Sequence, residues 1–281
     1  MALETIFDAD IRTFLESNLA RAVFDGDHWT FLHIPKTAGS SFRDEIANVK
    51  QPDYNIEVDY QMLRPSEGDE DYLEKKALAI KHYVSNYFYK TRFVSGHISY
   101  CDLVRHPQFG NSKLISMIRE PLARLRSDYL HQTSPNHPPW TAVLERYPTF
   151  LDFVHDPRNH NTMFNYLCRD TDESLEVTLD FLLKRYTWIG IQELYTFSIK
   201  VLFLLFGMRI TPSIKEREGD PKRLALTDLT PAQTREVEEM NYLDYGIFRF
   251  FLNHYMALRQ ESFALSDYDR FFKIMNGVEQ T

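Results

Sequence analysis

The 281-residue chain carries 32 basic and 40 acidic residues, a formal charge of −8, with 43% hydrophobic residues, 10 Gly and 13 Pro. This composition excludes collagen-like, low-complexity and largely disordered chains. The net acidity excludes a general nucleic-acid binder while leaving room for a basic cleft around one small phosphate-bearing ligand. No linker divides the sequence, so residues 1–281 are read as a single domain. Two cysteines, Cys101 and Cys168, lack the spacing of a zinc site or redox dithiol and are expected to be reduced packing residues. The amino terminus, MALETIFDADIRTF, has neither the basic region nor the apolar stretch of a signal peptide. The most apolar run, VLFLLFGM at 201–208, is shorter than the roughly 18–20 residues that cross a bilayer. It predicts a buried helix, and the expectation is a cytoplasmic protein with no transmembrane segment.

In chain order, residues 30–34 (TFLHI) predict a short buried strand stopped by Pro35, and the run from Ser40 predicts a helix. Residues 51–68 are polar and predict irregular chain, whereas 69–90, rich in charge and aromatic residues, predict an amphipathic helix. Together, 51–90 read as an insertion between strands. Residues 92–95 and 113–118 (KLISMI) predict further strands, each followed by a turn or helix start. Repeated βα units imply an α/β fold with a central, mostly parallel sheet and helices on both faces, three layers in all. The triple-proline stretch 134–140 predicts a surface loop. Helical spacing then runs through 150–155, 162–168 and 175–186, with a strand at 187–191 and an apolar helix from Glu193. A polar, mobile loop is expected over 210–228, before a helix capped by Thr230 with Pro231 in its first turn. The carboxy-terminal third is therefore mainly helical.

Two motifs carry chemistry. The first is Pro35-Lys36-Thr37-Ala38-Gly39-Ser40-Ser41, where a strand hands over to a helix. Small residues let consecutive N–H groups converge on an anion, the helix start adds partial positive charge, and Lys36 adds a full one. It is not the G-x-x-x-x-G-K-[ST] loop, because the lysine precedes the glycine. In the second, Arg119 leaves the end of strand 113–118 and Ser127 follows two turns along the next helix, where a guanidinium and a hydroxyl can grip another phosphate. Two anion grips on βα units imply a ligand with two phosphate-like ends.

These residues resemble the sulfotransferases that use 3′-phosphoadenosine 5′-phosphosulfate (PAPS), in particular the carbohydrate branch that includes heparan uronyl 2-O-sulfotransferases and many bacterial members. There, a P-K-T-x-[GS]-[ST]-[ST] loop binds the 5′-phosphosulfate and an R-x-P-x-x-R-x-x-S-x-Y element supplies the Arg and Ser for the 3′-phosphate. Residues 35–41 match the first, and Arg119, Ser127 and Tyr129 the second. The likeness extends more weakly to 187–193 and 241–245. It implies a P-loop-like nucleotide-binding fold and binding of PAPS by Pro35, Lys36, Thr37, Ala38, Gly39, Ser40, Ser41, Arg119 and Ser127. It also implies a histidine base at His97 after the strand RFVSG. A neutral imidazole, with an ordinary pKa of about 6.5, can take a proton from an attacking alcohol. Lys36 would neutralise charge on the bridging oxygen. The expected acceptor is a hydroxyl, a sugar first, with lipids and polyketide chains as other candidates.

Arg124 is a marginal further phosphate contact, and Arg126 reads as solvated. His33 reads as a structural histidine, and the aromatics at 83–89 as a packing stripe rather than an acceptor cleft. Lys215, Arg217, Lys222 and Arg223 stand where related enzymes close over the nucleotide. The histidines lack metal-ligand spacing, so no metal is expected. The rival readings are a P-loop-type kinase, which would need G-K-[ST] and a magnesium carboxylate, and a catalytically silent nucleotide-binding module.

Overall fold

The computed structural model describes residues 28–47, 49–58, 69–137, 140–169, 174–206, 208 and 225–260. The chain enters β1 (Trp29–Leu32), turns through residues 33–38 and starts α1 (Gly39–Ala47). It continues through β2 (Asp53–Ile56), α2 (Asp69–Asn86), β3 (Phe93–Gly96), α3 (Tyr100–Leu103), β4 (Lys113–Ile118) and α4 (Pro121–Gln132). After these come α5 (Trp140–Arg146), α6 (Phe150–His155), α7 (Thr162–Leu167), α8 (Leu175–Arg185), β5 (Tyr186–Ile191), α9 (Tyr195–Leu205), α10 (Pro231–Met240) and α11 (Tyr242–Gln260).

The strands form one parallel sheet in the order β2-β3-β1-β4-β5. Leu32 is level with Gly96 of β3 on one side and Ser116 of β4 on the other. The segments that leave the carboxyl ends of β3, β1 and β4 therefore emerge side by side. The chain leaves β1 toward β2 at one edge and leaves β4 toward β5 at the other. That reversal makes a crevice between neighbouring loops, where ligands bind in open α/β sheets. Every residue of β1, β3 and β5 is buried, as a sheet covered on both faces requires.

Several local expectations are corrected. The stretch from residue 51, read as irregular, contains edge strand β2, so part of 51–90 belongs to the sheet. Its composition disguised it: Asp53 and Asn55 are polar because an edge strand has one free flank and resists pairing with other chains. Tyr54 packs on Tyr83 and Tyr87, while Asn55 accepts a 2.7 Å hydrogen bond from Ser95 of β3. The helix expected over 69–90 ends at Asn86, and a 3-10 turn (Phe88–Lys90) follows. Tyr83 and Phe88 are buried, but Tyr89 is 86% exposed. Most of the 210–228 loop lies outside the described residues, as do Lys215, Arg217, Lys222 and Arg223 and positions 138–139 of the proline stretch.

Segment 241–245 proves to be a helix lock. Asn161, in the left-handed region at φ 46°, accepts hydrogen bonds at its side-chain oxygen from the N–H groups of Leu243 and Asp244 (3.1 and 3.2 Å) at the start of α11. Asp244 reciprocates by accepting from Met163 and Phe164 (3.0 and 2.8 Å) at the start of α7. Each side chain satisfies N–H groups that have no partner within their own helix. Thr230 caps α10 with Pro231 in its first turn, as the sequence predicts, and Gln233 completes a reciprocal cap. Residues 201–205 lie in α9, where Val201, Leu202, Phe203 and Leu205 are buried, and no described helix is long and apolar enough to cross a membrane. Neither cysteine forms a disulfide; Cys168 is buried and the partly exposed Cys101 donates to its carbonyl.

Candidate active site

Pro35 to Ala38 turn sharply between β1 and α1. Lys36 and Ala38 take positive φ values of 69° and 63°, a left-handed conformation that costs residues with a Cβ on the order of 1–2 kcal/mol. Thr37 holds the turn from within: its side chain is buried and its hydroxyl donates to the Ile34 carbonyl at 2.9 Å. Gly39 then opens α1, followed by the exposed Ser40 and half-buried Ser41. The small residues and the start of a nine-residue helix suit an anion.

Arg119 follows β4 directly and donates from Nη1 to the carbonyl of Lys36 at 3.2 Å, so the second motif reaches the first. Ser127 lies half-buried two turns into α4. Glu120 caps that helix, accepting from the N–H groups of Leu122 and Ala123, and Glu193 after β5 accepts from the Glu120 N–H at 3.0 Å. This contact ties the later 187–193 segment to the crevice.

His97 follows β3, its Nδ1 donating to the His33 carbonyl at 2.8 Å. Because a carbonyl only accepts, Nδ1 carries the proton and Nε2 keeps its lone pair in the neutral ring. Burial lowers the pKa of His97; the His33 bond and the charge of Asp128 oppose this, and Lys36 adds to it. Burial likewise lowers the pKa of Lys36, with Asp128 opposing and Arg119 reinforcing the shift. Both groups thus share a partly desolvated crevice in which Asp128 is a counter-charge.

Asp128 was not among the residues singled out from sequence, nor was His137, whose pKa is lowered by burial and tuned by Asp128 and Lys36 in turn. The only sequence signal for Asp128 was its place beside Ser127. Arg124 departs from its marginal reading as a phosphate contact. It is 1% exposed and paired to Asp128 at 2.9 Å, while Gln132 donates to the other carboxylate oxygen at 3.0 Å. Arg126 is half-buried rather than fully solvated, with its Nε shielded from water.

The fold and this crevice define an α/β protein with a tight loop of small residues at the switch point of a parallel sheet. The chain matches the sulfotransferase family over residues 22–251 and belongs to that family. No curated protein matches it. Among solved structures, it is similar to mouse sulfotransferase SULT7A1, crystallised in complex with PAP, at 14% identity over 81% of this chain and 88% of that one, with a TM-score of 0.37.

Proposed function

We propose that this sulfotransferase uses PAPS as its donor, as the ordered pair of motifs implies, and that the acceptor is a sugar hydroxyl, as the likeness to the carbohydrate branch implies. The observation that carries the reading is the Arg119 to Lys36 hydrogen bond, which joins the two anion-binding motifs into one crevice. The donor set fits a nucleotide with phosphates at two ends: the loop from Pro35 to Ser41 for the phosphosulfate, and Arg119 with Ser127 for the 3′-phosphate. His97 Nε2 accepts the acceptor's hydroxyl proton as that oxygen bonds to sulfur. Lys36 neutralises the charge that builds on the bridging oxygen as its bond to sulfur breaks, leaving a sulfate ester and adenosine 3′,5′-bisphosphate. Lysine suits this task because its ammonium is a compact point charge. A single domain in the cytoplasm, whose reducing conditions fit two free thiols, completes the reading.

Calorimetric titration tests it. Adenosine 3′,5′-bisphosphate should bind much more tightly than adenosine 5′-phosphate, and Arg119→Ala should remove most of that preference. A charge-assisted contact contributes about 1.5–3 kcal/mol, so the bisphosphate should bind about tenfold more weakly or worse. Equal affinity of the unaltered protein for the two nucleotides refutes the proposal. Turnover with PAPS against oligosaccharide, lipid and polyketide alcohols identifies the acceptor class, and turnover of the last two alone refutes the sugar.

A further inference from the structure

His33 directly follows β1, two residues before Pro35, and its surroundings exceed what a packing histidine needs. Its N–H donates to the Gly96 carbonyl at 3.0 Å, extending the β1–β3 ladder by one residue. Its own carbonyl takes the His97 Nδ1 proton. The two imidazoles stack with centroids 4.2 Å apart and planes inclined by 29°, and Phe31 backs His33 at 5.5 Å. On the loop side the ring occupies the space of an absent side chain: a Cβ on Gly39 would lie 1.9 Å from its Cδ2 and 2.1 Å from its Nε2. The ring is thus wedged between the first residue of α1 and the face of His97.

We propose that His33 is a positioning residue whose wedged ring and carbonyl together hold His97 with Nε2 open beside the phosphate loop. This rests on the reading of His97 as the base. The carbonyl selects the Nδ1–H tautomer, and the ring blocks the rotation by which His97 would break that bond. Gly39 serves both tasks at once, giving the wedge its seat and starting the helix that faces the donor. A neutral wedge is required, since a second imidazolium would oppose His97 as it gains a proton. Burial, first, and the neighbouring His97, Arg43 and Lys36 push the His33 pKa down to about 3, so it stays uncharged.

The test combines long-range ¹H–¹⁵N spectra of the histidine rings with kinetics for the full chain, His33→Ala and His33→Phe. In the unaltered protein His97 should show protonated Nδ1 and bare Nε2. His33→Ala should show a mixture of tautomers and lose roughly tenfold or more in kcat, as expected for a misoriented base, with Kd for adenosine 3′,5′-bisphosphate changed less than about threefold. His33→Phe, which keeps an uncharged stacking ring, should restore the single tautomer and most of kcat. A protonated Nε2 in the unaltered protein overturns the proposal, as does a phenylalanine variant no better than the alanine one. Should His33→Ala fail to fold, the other two proteins still decide. Near-normal kcat in His97→Ala would instead remove the base assignment, a failure visible without reference to the tautomer.

Discussion

His28 offers a sharp test of the fold's electrostatics, at the end of β1 opposite the crevice. Its ring is tied on both sides, Nδ1 to Ser112 Oγ at 2.9 Å and Nε2 to Tyr83 OH at 2.8 Å, and it stacks on Phe88 at 4.2 Å. Ser112 Oγ also donates to the His28 carbonyl at 3.0 Å and meets Thr30 Oγ1 at 2.6 Å, so the ring is held in a largely buried network. Burial lowers the His28 pKa from 6.5 to about 4. Between these values the unfolded chain binds the proton and the folded one does not. Stability is therefore complete above pH 6.5 and is lost as pH falls toward 4. Integrating the linkage gives a loss of about 2 kcal/mol by pH 5 and about 3 kcal/mol by pH 4. Urea unfolding of the unaltered protein and His28→Gln at pH 7.5 and pH 5 isolates this residue, because the other histidines are common to both. The stability advantage of the unaltered protein should shrink by about 2 kcal/mol between the two pH values, with nucleotide affinity at pH 7.5 the same in both. A constant advantage would refute the reasoning.

Lys36→Ala should lower kcat by on the order of 10²–10³, the usual cost of one preorganised charge-stabilising group, with thermal unfolding little changed because the loop is held by Thr37 and Ile34; near-normal turnover would remove Lys36 from the chemistry. Asp244→Ala should cost about 2–5 kcal/mol in urea unfolding, since it strands the buried N–H groups of Met163 and Phe164, and a loss below about 0.5 kcal/mol would show that the α7–α11 lock is not needed.

Much of the architecture is local enough to be legible in the chain. The strand over 113–118 is observed with the same bounds, because an apolar run between a polar turn and a proline leaves few alternatives. Thr230, Pro231 and Gln233 announce a helix start by groups that bond within three residues. The loop from Pro35 to Ser41 and the run from Arg119 to Ser127 are likewise contiguous, so their residue types and their places after strands could be read directly. Even within the loop, however, the left-handed turns fall on Lys36 and Ala38, while Gly39 is needed for the space it leaves to His33.

What the chain order cannot express is which strand lies beside which. The order β2-β3-β1-β4-β5 alone places His97 against His33, 64 positions away, and Arg119 against Lys36, 83 positions away. Burial and charge then act through space rather than along the backbone. Arg124, one of several helical arginines in sequence, is turned inward to pair with Asp128, and Asp128 thereby becomes the carboxylate whose field reaches Lys36, His97 and His137. Residue type and spacing determined the two motifs; the tertiary structure decided that they share one crevice, which tautomer His97 holds and in which direction its histidines' pKa values move, because desolvation and Coulomb interaction depend on distances that only the folded sheet sets.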